Sequence, residues 1–231
     1  MSGMGAGAGE RIRVLLVDDQ ALFRAGIRML VGSQPDLEFV GEAANGEEGV
    51  QVALETSPDV VLMDIRMPVM DGIAATSEIV GRAVRDGRRP PRIVVLTTFD
   101  LDEAAARAIR GGASGFVLKD AEPEFLLAAI RTVHAGNAVI AAGATRELFQ
   151  YFSAGEPAKE QPQEFGNLTS REREIFVLAA RGLSNSEIAS TEYLSEATVK
   201  THISRILSKL GLRDRVQMVV YAFEHGLTAA E

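Results

Sequence analysis

Short, wholly apolar runs that alternate with amphipathic segments constrain the first 136 residues more than any other feature. Arg11–Val17 (RIRVLLV), Asp59–Met63 (DVVLM), Arg92–Leu96 (RIVVL) and Phe116–Leu118 are rich in Val, Ile and Leu, and Leu37–Val40 is a weaker run of the same kind. Such runs, apolar on both faces, read as strands covered by helices on either side. Between them lie helical start and stop signals. Asn45 with Glu48, and Asp100 with Glu103, are capping pairs that open helices through Leu54 and Arg110, and Gly111-Gly112 ends the second. Pro123 suits the first turn of a helix over Glu122–Ala135, where its missing N–H leaves nothing unpaired. Five strand-then-helix units require parallel pairing through right-handed crossovers, so the predicted fold is α/β, a doubly wound five-stranded parallel sheet.

After Gly136 the pattern changes. One helix is expected over Ala141–Phe152, followed by a polar, proline-bearing linker over Ser153–Gly166 (SAGEPAKEQPQEFG). Beyond it the signals are helical only: capping boxes at Thr169/Glu172 and Ser184/Glu187, and single caps at Ser195 and Asp214. The reading is residues 1–10 as a disordered lead-in, 11–136 as the α/β domain, 137–166 as a linker with one helix, and 167–231 as a second, all-α domain.

Net charge is −8, which taken alone argues against nucleic acid. Residues 165–231, however, carry eight basic and eight acidic side chains, so the whole deficit lies in the first two-thirds. Such asymmetry suggests two parts with different partners. There is no cysteine, which excludes disulfides, thiolate metal sites and cysteine nucleophiles. No segment approaches the roughly 18 apolar residues that span a bilayer, and the Gly/Ala-rich start is no signal peptide. The Gly5, Gly7, Gly9 spacing precedes the first strand, so it is no dinucleotide loop. The expected location is the cytoplasm, with no membrane partner.

Ligands of doubly wound sheets bind beyond the carboxyl ends of the strands. There the sequence puts Asp18-Asp19, Asp64, Thr97-Thr98 and Lys119. Any one of these acids alone reads as a helix cap or a solvated loop residue. Together, three carboxylates repel unless a cation lies among them, and oxygen-only ligands suit Mg²⁺. Lys119 is placed to neutralise an anion and Thr97 to donate a hydrogen bond to it, while an aspartate can attack a phosphoryl group.

Val17-Asp18-Asp19, Met63-Asp64-Ile65-Arg66-Met67-Pro68-Val69-Met70-Asp71-Gly72, Leu96-Thr97-Thr98 and Gly112-Ala113-Ser114-Gly115-Phe116-Val117-Leu118-Lys119 resemble, in order and spacing, the flavodoxin-like receiver domain of bacterial two-component systems. The resemblance implies that Asp64 is the phosphoacceptor and that Asp18, Asp19, Asp64 and the backbone carbonyl of Arg66 hold Mg²⁺. It implies that Thr97 and Lys119 contact the phosphoryl group. Phe116 falls at the aromatic switch position, and it reads equally as a plain buried strand aromatic.

At about 100° per residue, Val199, Ile203, Ile206, Leu207 and Leu210 form one stripe of the third helix of the second domain. Ala197, Thr201, Ser204, Arg205 and Ser208 lie opposite, flanked by Thr198 and Lys200. A small, polar, basic face of this kind suits a DNA major groove, though alone it reads as a solvated face. The preceding helix at Ser184 and the turn near Tyr193-Leu194-Ser195 make the order a helix-turn-helix.

Leu168-Thr169-Ser170-Arg171-Glu172, Ser186-Glu187-Ile188-Ala189, Leu194 to Ile203 (LSEATVKTHI) and Lys209-Leu210-Gly211 are similar to the LuxR-type DNA-binding domain, and the whole chain to response regulators of the NarL/FixJ class. Two departures stand out. Ser190-Thr191-Glu192-Tyr193 is more polar than the family pattern, and Ser204 stands where some relatives carry a base-contacting lysine. The expected DNA contacts are Thr198, Lys200, Thr201, Ser204, Arg205, Ser208 and Lys209, with Lys200 and Thr201 in the groove and Arg205 and Lys209 on phosphates. The resemblance implies a sensor histidine kinase as phosphodonor, double-stranded DNA as target, and a homodimer when phosphorylated. It implies a regulator with at most slow self-dephosphorylation. An aspartyl-phosphate hydrolase needs a second acid near its nucleophile, and Arg66, two residues on, cannot serve. A constitutive DNA binder that uses its receiver only to dimerise is the remaining alternative.

Overall fold

The computed structural model of the chain describes residues 11–97, 103–136 and 162–227; of residues 103–106 only the backbone is described. The expected lead-in, the Asp100 cap, Thr98 and the helix expected over Ala141–Phe152 lie outside the described residues.

The apolar runs become β1 (Ile12–Val17), β2 (Leu37–Ala43), β3 (Val60–Asp64), β4 (Arg92–Thr97) and β5 (Gly115–Leu118). Between and after them run α1 (Ala21–Gly32), α2 (Gly46–Thr56), α3 (Gly72–Arg85), α4 (Glu103–Arg110) and α5 (Pro123–His134). All pairings are parallel and the strand order is β2-β1-β3-β4-β5. One face of the sheet buries Val14, Leu16, Leu62, Val94 and Leu96 against α1 and α5, and the other buries Leu15, Val17, Val61, Met63 and Ile93 against α2 and α3. That two-sided burial is why the strands read as continuous apolar runs.

The second strand is longer than its apolar run. It continues through Gly41 and Glu42 to Ala43, with a register shift opposite Val14 and Leu15. It is an edge strand with partly exposed residues, so its sequence does not need to be apolar throughout.

The second domain packs α6 (Ser170–Ala180), α7 (Asn185–Glu192), α8 (Glu196–Leu210) and α9 (Arg215–Glu224). Both capping boxes form: the Thr169 and Ser184 hydroxyls accept from the N–H of Glu172 and Glu187, whose carboxylates reach back to the cap residues' own N–H groups. Val199, Ile203, Ile206 and Leu210 of α8 are buried against Ile175, Phe176, Ile188 and Met218.

The stretch read as linker ends sooner than its composition suggested. Gln163–Asn167 forms a 3-10 turn, and Phe165, 5% exposed, joins the helical core with its ring edge-on to Phe176 at 5.1 Å. A single phenylalanine in a polar, proline-bearing segment carries no periodicity, so the pattern could not announce its burial. Phe165→Ala is expected to destabilise the second domain by about 3–5 kcal/mol, the usual range for a buried phenylalanine, measured by urea unfolding.

Candidate phosphoacceptor and DNA-binding sites

The strand order reverses at β1 and β3, and the crevice beyond their carboxyl ends collects the predicted acids. Asp64 is the last residue of β3 and is buried. Asp18 follows β1, is fully buried, and uses Oδ1 to accept from the Gln20 N–H at 2.9 Å. Asp19 beside it is exposed. One carboxylate oxygen from each of the three lies within 4.8 Å of the others. Three converging carboxylate oxygens form a hard donor set, which fits a divalent cation such as Mg²⁺.

Lys119 reaches this cluster from beyond β5. Its Nζ stands 2.7 Å from Asp18 Oδ2 and 2.8 Å from Asp64 Oδ2, and its backbone N–H donates to Thr97 O at 2.7 Å. Burial alone pulls the ammonium's pKa down, but the two aspartates outweigh it and hold the charged form more firmly than usual. Burial pushes the Asp64 carboxyl above its ordinary range; Lys119 opposes the rise and Asp18 adds to it. Asp64 Oδ1 also receives the Arg66 N–H at 3.4 Å, a long contact. Thr97 and Phe116 are both buried on neighbouring strands, so Phe116 is at least the strand aromatic that one of its two readings described.

Two supports of this site were not singled out from the sequence. The Lys119 ammonium lies 5.2 Å from the centre of the Phe23 ring, a cation–π contact that crosses from α1. Gly72 packs so closely that a Cβ there would fall 1.9 Å from the Asp64 carbonyl oxygen, and its N–H donates to Ile65 O at 2.9 Å. Any side chain at position 72 would therefore push on the backbone of Asp64 itself.

In the second domain, Lys200, Thr201, Ser204, Arg205 and Ser208 are exposed along α8, opposite its buried stripe. Thr198 is half-buried, and its hydroxyl lies 2.8 Å from that of the Ser195 cap. Lys209, expected on phosphates, is exposed and engaged within its own domain. Its Nζ pairs with Glu172 Oε2 at 2.7 Å and donates to Asn167 O at 3.2 Å, tying α8 to the start of α6. Lys209 reads from the sequence as one more outward-facing cation of α8, and a buried acid from another helix pairs with it. The polar departure at Glu192 has a similar cause. Arg171 of α6 ion-pairs with the Glu192 carboxylate and donates to its carbonyl at 2.8 Å, joining the two helices by a charged contact.

Comparison with known proteins identifies the family. Residues 14–131 match the response regulator receiver domain, and residues 166–222 match the bacterial regulatory proteins of the luxR family. The chain is 42% identical over 217 residues to the transcriptional regulatory protein LiaR of Bacillus subtilis (strain 168), covering 94% of this chain and 99% of that protein. It is 38% identical over 216 residues to the response regulator protein VraR of Staphylococcus epidermidis, with 94% and 98% covered. Among solved structures, a LuxR-family two-component response regulator from Aurantimonas sp. SI85-9A1 aligns at 32% identity and TM-score 0.55, over 62% of this chain and 98% of that one. The RcsB–DNA complex aligns over 93% of this chain and 99% of that one at 21% identity and TM-score 0.53, a likeness of fold. The chain therefore belongs to the two-component response regulators of the NarL/LuxR class, with a receiver domain and a LuxR-type DNA-binding domain. Among the described residues no helix is long and apolar enough to cross a membrane.

The Glu172 clamp gives a pH-dependent test. The Lys209 ammonium, then the Thr169 N–H, hold the Glu172 carboxyl down from its ordinary 4.5 to about 2. A group depressed on folding contributes stability above its free value and loses it as pH falls through the folded one. The stability gap between the wild-type chain and Glu172→Gln, read from urea midpoints of the second domain, is expected to be full at pH 7. It should shrink as pH falls from 4.5 toward 2.

Proposed function

We propose that Asp64 accepts a phosphoryl group from a sensor histidine kinase, and that this modification controls sequence-specific binding of double-stranded DNA by α8, and hence transcription. The observation that carries the reading is the Asp18–Asp19–Asp64 cluster with Lys119 inside it, at the one edge of the sheet where its strand order turns. The bulk of the chain serves two jobs in this reading: residues 11–136 as the receiver, and the C-terminal domain, with the linker starting after 136, as the output. Its relatives, a transcriptional regulatory protein and a response regulator protein, support the same division of labour.

Asp18, Asp19, Asp64 and the carbonyl of Arg66 would hold Mg²⁺, whose charge would offset that of the incoming phosphoryl oxygens. One Asp64 oxygen attacks phosphorus in line as the donor's phosphorus–nitrogen bond breaks. Lys119, already poised on Asp64, exchanges that carboxylate for a phosphoryl oxygen, and Thr97 donates its hydroxyl to another. Phe116 then follows Thr97 as the packing of β4 and β5 adjusts. The protein acts as a regulator, the phosphorylated form pairs as a homodimer to read two half-sites, and the reactions take place in the cytoplasm.

On DNA, α8 enters the major groove with Lys200 and Thr201 toward base edges, Ser204 and Ser208 along the same face, Thr198 at its amino end, and Arg205 toward phosphates. Incubation with acetyl phosphate and Mg²⁺, read by intact mass, is expected to modify the wild-type chain and leave Asp64→Asn unmodified. A wild-type chain that stays unmodified sinks the reading. Lys200→Ala is expected to weaken binding to a selected operator by about 1–3 kcal/mol, as for a lost base contact, measured by fluorescence anisotropy.

A further inference from the structure

The helices of the second domain end alike, with one exception. Behind α6, α8 and α9 the chain turns through Gly182, Gly211 and Gly226, with φ of 90°, 66° and 64°. Behind α7 a left-handed conformation of the same kind is taken by Tyr193, at φ 54° and ψ 43°. A bulky side chain is strained there and glycine is not. The ring gains nothing from the fold in return. Tyr193 is 94% exposed, the most exposed large hydrophobic side chain among the described residues, and no hydrogen bond or aromatic contact within them holds its ring or its hydroxyl.

The backbone on either side is pinned. The Tyr193 N–H donates to Ala189 O, and the Leu194 N–H donates to the same oxygen at 2.9 Å. Arg171 holds the Glu192 carbonyl at 2.8 Å, and Leu194 packs on the domain's core. The turn therefore presents one side chain to solvent from a fixed base, with little backbone freedom left to lose when something covers it. Strain kept at so exposed a position points to a contact outside the chain. Tyrosine suits such a contact, since it offers a flat ring and one hydroxyl at a low cost in side-chain entropy.

The turn leads straight into α8. Ser195 caps that helix, and Lys200 and Thr201 are exposed in its first turns. In a helix-turn-helix the amino-terminal residues of the second helix reach base edges, which sets the residue just ahead of them over the flanking sugar-phosphate strand. Charge is scarce on this face. With Lys209 engaged by Glu172, α8 brings Lys200 and Arg205 as its other exposed cations. Uncharged side chains, tyrosine among them, are the other common means of holding phosphates and sugars in register. We propose that Tyr193 is a DNA-backbone contact, its ring laid on a deoxyribose and its hydroxyl donating to a phosphate at the edge of the groove that α8 enters. The proposal rests on the reading of α8 as the DNA-binding helix and adds to it a contact with no sequence preference of its own. Arg171, by gripping Glu192 from α6, then positions the tyrosine as well as the helices.

Tyr193→Gly separates binding from folding. Glycine relieves the strain and a 94% exposed ring surrenders no packing, so the urea midpoint of the second domain is expected to stay level or rise. Affinity should move the other way. Fluorescence anisotropy on the full chain, after acetyl phosphate and Mg²⁺, is expected to show binding about tenfold weaker for Tyr193→Gly and about threefold weaker for Tyr193→Phe, which loses the hydroxyl alone. The loss should be the same on a selected operator and on a duplex of random sequence, since a backbone contact reads no bases. It should also leave the slope of log affinity against log salt unchanged, because no cation is removed, whereas Arg205→Ala should make that slope shallower by about 0.9. Undiminished affinity in Tyr193→Gly overturns the contact and assigns the ring to a partner other than DNA. A loss confined to the operator, or a lowered urea midpoint in Tyr193→Gly, overturns it too. If Lys200→Ala weakens operator binding and Tyr193→Gly does not, the tyrosine contact falls alone and the reading of α8 stands; a parent that binds neither duplex sinks both.

Discussion

The charge balance around Lys119 is the constraint on which the receiver turns. Two buried carboxylates, Asp18 and Asp64, face each other across the ends of adjacent strands, and one ammonium lies within 2.8 Å of both. Without it the pair would repel in a poorly hydrated crevice. With it, the cluster still keeps two excess negative charges once exposed Asp19 is counted. A cluster that stays slightly acidic attracts a divalent ion, and an ion there attracts phosphate oxygens. The geometry of β1, β3 and β5, the close approach that Gly72 permits beside the Asp64 backbone, and the Phe23 ring near Lys119 all serve to hold these groups in place.

The second domain obeys a different economy. It has a small core, and charged contacts tie its helices where apolar ones run out. Arg171 joins α6 to the end of α7 through Glu192, and Lys209 joins α8 to α6 through Glu172. Arg215, deep under α7, donates to Leu183 O and to Asn185 Oδ1, and burial draws its pKa down to about 10. Fixing the helices this way leaves the exposed face of α8 free of structural duties up to Ser208. The face that remains is short, polar and modestly basic, in keeping with a domain whose net charge is zero.

Much of this was legible in the chain itself. The strands were legible because burial on both faces forces unbroken Val/Ile/Leu runs, and the site was legible because strand ends place side chains at a known edge of such a sheet. The helix starts were legible because Asn45, Thr169, Ser184 and Ser195 cap through contacts three residues away. Phe165 and Lys209 were not. One is a lone aromatic in a polar segment, the other a surface-patterned lysine, and each finds its partner on an element distant in sequence.

Local sequence thus determined the elements, their parallel pairing and the residues that gather at the sheet edge, because those follow from short-range periodicity and from strand-helix alternation. Tertiary structure alone decided which charges meet. Arg92 and Asp214 are 122 residues apart, and nothing nearby in the chain marks either as the other's partner. An arginine opening an apolar strand and an aspartate capping a helix each have a sufficient local role. Their joint role exists only once two separately folded domains come into contact and exclude water from between them.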